Sequence, residues 1–167
     1  GTPRRAVVGW DSGRLAMLLA VLEARCGLGF GDKDVYLNVA GGLRINEPAA
    51  DLALVLAMAS SLYNCPLDLE MFSFGEIGLS AEIRPVSQAQ RRVNEAGRVG
   101  LKKCILPEGC LEGLTVPQGM KVIGVRTLRQ AINAVLTKDR SKSQNREQPD
   151  GQTEDFAWEP EGALEPD

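Results

Sequence analysis

The chain has 167 residues, 44% of them hydrophobic and 25% charged, with a net charge of −3. That is enough for one domain with a real core, and no apolar run approaches the ~20 residues of a membrane span. Histidine is absent, which removes Ser-His-Asp and Cys-His catalysis and most zinc sites.

The opening "GTPRR" lacks the apolar core of a signal peptide and reads as an internal cut, so the chain is expected to be a piece of a longer protein. "RRAVVGW" is short, β-branched and apolar and predicts a strand. Asp11 or Ser12 caps the helix that follows, "DSGRLAMLLAVLEARC", where Leu15, Leu18, Leu19 and Leu22 recur at helical spacing. Such a helix is expected to be buried on most sides. "GLGFGDKD" is a glycine-rich connector, and "DVYLNVAGG" is a second strand ending in Gly41-Gly42, a pair that permits a turn other residues resist.

"NEPAADLALVLAMASSLYN" predicts the second helix, with Asn46 as cap and Pro48 in the first turn. It is apolar nearly all round from Ala49 to Leu62 and is expected to run through the middle of the domain. Asp51 complements its dipole. "MFSFGEIGL" and "AEIRPV" predict two strand-like runs joined by a tight turn. "SQAQRRVNEAGRVG" predicts an amphipathic helix with Ala89, Val93 and Ala96 inward. "KKCILP" and "KVIGV" are short buried strands, and "TLRQAINAVL" is a closing helix capped by Thr127. Helices alternate with strands, so the fold class is α/β, or α+β.

From Thr137 onward the composition turns polar and rich in Pro, Gly and Glu, with four basic and nine acidic residues, a net of −5. Residues 1–136 are therefore read as the folded domain, net +2, and residues 137–167 as a disordered acidic tail. Phe156 and Trp158 stand out in it as a candidate docking anchor. Cys26, Cys65, Cys104 and Cys110 show no CxxC pairing and read as reduced thiols. No GxxxxGK(S/T) phosphate loop occurs. Glu47, Asp51 and Glu76 are a nominal carboxylate cluster, but helix complementation and arginine pairing explain them without a metal.

The strand–"GG"–"EPAAD" order, followed by "FGEIGLSAEIRPV" and a helix, resembles the proteolytic domain of Lon proteases. Together with "GWDSGRLAMLLAVLEARCG" and "GLKKCILP", it resembles more closely the C-terminal Lon-like domain of the bacterial DNA-repair ATPases of the RadA (Sms) type. The resemblance spans about residues 7–125 and implies a Lon-protease-like domain of ribosomal protein S5 domain 2-like architecture. Lon's serine–lysine dyad maps onto Ala49 and Gln90. Alanine has no nucleophilic atom, and an amide takes no proton near neutral pH, so no catalytic residue is expected. Ser12, Ser80 and Ser87 would need a desolvated lysine as base, yet Lys33, Lys102, Lys103, Lys121, Lys138 and Lys142 all read as loop, strand-edge or tail residues.

The resemblance further implies a scaffold of a DNA repair and recombination ATPase, contributing DNA binding and hexameric ring assembly for branch migration. DNA, single- or double-stranded, would meet Arg14, Arg44, Arg84, Arg91, Arg92, Lys102 and Lys103, since such binding rests on Arg and Lys at phosphates. The domain itself would hold no cofactor. The resemblance implies ATP, magnesium and zinc only for upstream domains that this sequence does not contain. A recombinase is a further implied partner, a membrane is not, and the implied location is the bacterial cytoplasm, or a plastid or mitochondrion for a plant source. The alternatives are a Lon-type serine peptidase with an unusual site and a protein-interaction module that never touches DNA.

Overall fold

The computed structural model describes the backbone of residues 1–143 and the side chains of residues 1–136. In chain order, the first half holds β1 (Arg5–Val8), α1 (Ser12–Cys26), β2 (Val35–Asn38) and α2 (Asp51–Tyr63). The short strands β3 (Met71–Ser73), β4 (Glu76–Ile77) and β5 (Ile83–Arg84) follow. Then come α3 (Ala89–Arg98), β6 (Lys103–Pro107), β7 (Lys121–Val125) and α4 (Leu128–Ser143). The mixed helix and sheet architecture matches the α/β expectation. Helix α4 carries its backbone past Thr137 as far as Ser143; the rest of the expected acidic tail, with Phe156 and Trp158, lies outside the described residues.

Three small sheets are formed among the described residues. β1 and β2 pair in parallel with Ala6 opposite Tyr36 and Val8 opposite Asn38. β3, β6 and β7 form a parallel sheet with β6 in the centre. β4 and β5 form an antiparallel hairpin with Glu76 opposite Arg84. The central strand explains why "KCILP" is apolar at successive positions. Alternate side chains of a strand serve opposite faces, and both faces of β6 are covered. Ile105 packs into the main core with Leu18 and Leu22 of α1, Leu56 of α2 and Leu128 of α4. Cys104 and Leu106 point the other way, into a second cluster with Ala49, Phe74 and Val93. Burial pushes the Cys104 thiol up to about 12, with Cys110 adding to the shift, so this sulfur is an inert hydrophobe at neutral pH.

Four sequence expectations are refined. Asp11, not Ser12, caps α1; its Oδ1 accepts the Arg14 N–H at 2.7 Å. Glu47, not Asn46, caps the start of the second helix, where Oε1 accepts the Ala49 N–H at 3.2 Å and residues Pro48–Ala50 form a 3-10 turn leading into α2. Helix α1 is not buried on most sides, nor is α2 enclosed all round. Ala16 and Ala20 of α1, and Ala53, Ala57 and Ser61 of α2, face outward; alanine makes a helix look apolar without needing burial. The run "MFSFGEIGL" is split between two sheets, because the chain breaks at Gly75. Gly75 N–H donates to the Ala49 carbonyl at 2.8 Å, and its own carbonyl accepts the Leu52 N–H at 3.1 Å. A Cβ at Gly75 would lie 2.9 Å from Ile83 Cγ2, so only glycine lets this backbone close on the helix start. Gly41 and Gly42 do take the left-handed turn, at φ 76° and 68°. The amphipathic face of α3 and the Thr127 cap are as expected, the latter accepting the Gln130 N–H at 3.2 Å. Among the described residues, no helix is long and apolar enough to cross a membrane.

Candidate functional site

The start of α2 is where the Lon resemblance places a nucleophile. The local sequence builds a rigid helix entrance there. Pro48 fixes the first turn, and Glu47 and Gly75 satisfy the backbone groups on either side of Ala49. Asp51 is fully buried and holds the entrance from below. Its Oδ1 receives Arg14 Nε at 2.5 Å and its Oδ2 receives Arg14 Nη2 at 2.6 Å, a two-pronged pair reaching from α1 to α2. Oδ2 also accepts the Ile77 N–H of β4 at 3.2 Å. The hydrogen bond to Asp51, the largest influence, raises the Arg14 pKa against the opposing effect of burial. The Arg14–Asp51 pair thus locks three elements together at a place where the sequence suggests only dipole complementation by Asp51.

Above that lock there is no reactive atom. Ala49 is buried, and its methyl group packs with Phe74, Val93, Cys104 and Leu106. Gln90, on α3, has its amide fully engaged elsewhere. Nε2 donates to Thr115 O and Asn94 Oδ1, both at 2.8 Å, and Oε1 accepts the Thr115 N–H at 2.8 Å. One side chain thereby pairs with both backbone groups of Thr115, as a neighbouring strand would, and pins the loop ahead of β7 to α3. Arg92 ties α3 to the helix entrance. It lies over the Phe74 ring at 5.8 Å, pairs with Glu47 at 3.4 Å and donates to Ser87 O at 3.1 Å. Among the described residues, no lysine ammonium bonds a serine hydroxyl; Lys33 meets Asp32 and Lys102 meets Glu70. Nor do the described residues include a group of three or more acidic, cysteine or histidine side chains placed to hold a metal.

The Glu47 carboxyl is held below its ordinary range, first by the Ala49 N–H and then by Arg92. A carboxylate whose folded pKa is depressed stabilises above the unfolded pKa and loses that contribution as pH falls through the folded value. Glu47→Ala should therefore cost about 1 kcal/mol at pH 7, the usual value of a cap, and progressively less as pH falls through the lowered Glu47 pKa. Urea unfolding of both proteins across that pH range measures the difference.

The basic residues singled out from the sequence fall into distinct surroundings. Arg14 is half-buried on Asp51. Arg84 is paired with Glu82 at 2.7 Å and Lys102 with Glu70 at 2.6 Å, both on the surface. Arg91 is exposed and donates to the Gln88 side chain at 3.3 Å. Arg44 is exposed. Lys103 stands in register with Lys121 across β6 and β7. Two like charges opposite each other on a sheet are unfavourable unless an anion joins them. Lys121 is a basic residue that the sequence does not single out for DNA. The spacing of "KKCILP" and "KVIGV" hides it, because the pairing is set by a parallel register that no local pattern encodes.

Comparison with known proteins places this geometry. The family model described as the Lon protease C-terminal proteolytic domain matches residues 26–139. The chain belongs to that family. Within it, this Lon-like domain is similar to proteins named DNA repair protein RadA. It is 44% identical to the one from Streptococcus pyogenes serotype M1 over 137 residues, covering 82% of the chain and 30% of the relative. It is 57% identical to that of Brucella abortus over 109 residues, covering 65% of the chain and 23% of the relative. For Bacillus subtilis the identity is 44% over 136 residues, with 81% and 30% covered. The chain thus spans less than a third of the length of these curated relatives. The resemblance read from "EPAAD" and "FGEIGLSAEIRPV" is borne out, as is the Lon-protease-like fold.

Proposed function

We propose that this chain is a non-proteolytic Lon-like scaffold of a RadA-type DNA repair and recombination ATPase, working by contact with DNA and with further copies of itself. The observation that carries the reading is the helix entrance. Where the Lon resemblance places the nucleophile it presents a buried methyl group, and it commits the Gln90 amide to Thr115. The similarity to RadA proteins supports the DNA-repair setting. The contact surface is drawn from Arg44, Arg91 and Lys103, joined by Lys121, with Arg84, Arg92 and Lys102 exchanging their acids for phosphates. Arginine forks and lysine pairs suit phosphate oxygens. Arg14 acts here through the fold, since its guanidinium is spent on Asp51. A mildly basic protomer binds weakly alone, and assembly into a ring of six multiplies the effect through effective concentration. ATP, magnesium and zinc chemistry, and any recombinase contact, belong to the longer protein, acting in the bacterial cytoplasm.

Binding of the assembled full-length protein to duplex and single-stranded DNA across a salt series tests this. Affinity should fall steeply between about 50 and 200 mM salt. Replacing Arg44, Arg91, Lys103 or Lys121 by alanine should lower the slope by roughly one for each phosphate no longer neutralised. Binding that is absent at low salt would leave a protein-interaction module with no DNA role.

A further inference from the structure

The outer face of the β1–β2 sheet has no neighbour in the described fold. Val7, Val35 and Leu37 pack inward against the core. On the opposite face Val8 and Tyr36 are 60% and 64% exposed, and Leu43 is 66% exposed. Leu43 lies close to the end of β1, because residues 43–45 run against Gly9, with Ile45 N–H donating to the Gly9 carbonyl at 2.9 Å. An exposed apolar cluster of this kind marks a contact surface. Its rim is basic. Arg4 and Arg44 are exposed and form no ion pair among the described residues. Asp34 Oδ1 accepts the Arg4 backbone N–H at 2.7 Å, so one carboxylate stands beside Arg4 at this rim. The face therefore suits an aromatic segment flanked by carboxylates.

The sequence carries such a segment. Residues 154–159 read Glu-Asp-Phe-Ala-Trp-Glu, within a stretch from Gln144 to Asp167 that has eight acidic residues against one basic. The connection from Ser143 to Phe156 spans up to roughly 40 Å when extended, beyond the diameter of a domain of this size. Tethering raises the local concentration of a weak ligand to about the millimolar range. We propose that residues 154–159 dock in cis across the outer β1–β2 face, with Phe156 and Trp158 on Val8, Tyr36 and Leu43 and the flanking carboxylates at Arg4 and Arg44. Docking covers Arg44, so the segment also competes with DNA for that contact. This second consequence rests on the DNA-binding reading above; the docking itself does not.

The full chain labelled with 5-fluorotryptophan has two fluorine signals, from Trp10 and Trp158, assigned with Trp158→Phe. The Trp158 signal should differ from that of a free peptide of residues 144–167. It should move to the peptide position in Leu43→Ser/Arg44→Glu and in about 1 M salt, where screening acts over ~3 Å, while Trp10 reports an intact fold. Coincidence of the two Trp158 signals in the unchanged chain overturns docking. A shift that vanishes on dilution overturns the cis assignment in favour of a second copy. Phe156→Ala/Trp158→Ala keeps every charge and should tighten DNA binding several-fold; unchanged DNA affinity in that variant, while Trp158 is docked in the unchanged chain, overturns the competition alone.

Discussion

Arg14→Ala should be the most damaging single substitution at the helix entrance, costing about 3–5 kcal/mol by urea denaturation. The reason is burial. Asp51 has no solvent exposure, and without Arg14 its carboxylate keeps, among the described residues, only the Ile77 N–H as a hydrogen-bonding partner. Removing one member of a buried pair leaves the other uncompensated, which is worse than losing the pair. Asp51→Ala should cost less, about 2–3 kcal/mol, because the Arg14 side chain is 27% exposed and can turn toward water. The double variant should lie well short of the sum of the two, giving a large coupling energy in the cycle. A stability loss below ~1 kcal/mol for Arg14→Ala would show that the pair is not the lock described. The same result bears on function: weakened DNA binding in this variant would reflect the fold, whereas Arg44→Ala and Arg91→Ala should leave stability within about 0.5 kcal/mol.

Rebuilding the dyad residues should not rebuild an enzyme. In Ala49→Ser/Gln90→Lys the new hydroxyl enters a pocket of Phe74, Val93 and Leu106, a burial costing about 1–3 kcal/mol unless it finds a partner. The lysine forfeits the Oε1 bond to the Thr115 N–H, since an ammonium only donates. A combined loss of about 2–4 kcal/mol is expected, with faster backbone amide exchange around Thr115 and no peptide turnover. Gln90→Lys alone should produce the Thr115 effect, and Ala49→Ser alone should not. Turnover by the double variant would mean that the ancestral geometry survives beneath the substitutions.

Much of this architecture is legible along the chain. The alternation of helical and strand periods gives the element order, Thr127 announces α4, and "EPAAD" with "FGEIGLSAEIRPV" gives the family. What the linear pattern misses is whatever two distant segments decide together. The bond between Asp51 and Arg14 joins residues 37 positions apart, so the sequence shows only an acid in a first turn and an arginine on a helix. The division of "MFSFGEIGL" between sheets follows from Gly75 bonding to the start of α2 rather than from its own composition. The role of Gln90 is likewise hidden, because its partner is the backbone of Thr115 and not a side chain that a motif records. The opposition of Lys103 and Lys121 follows only from the β6–β7 register. Helices α1 and α2 look more enclosed in the sequence than they are in the fold, because alanine signals helix propensity as readily as burial.

A continuous peptide-cleavage assay on the purified chain, alone and in the assembled full-length protein, bears most directly on the central claim that this Lon-type fold acts by contact. The expected result is no hydrolysis above background, unchanged when Ser12, Ser80 or Ser87 is replaced by alanine. Cleavage abolished by one of those changes, or by the loss of a single lysine, would contradict it.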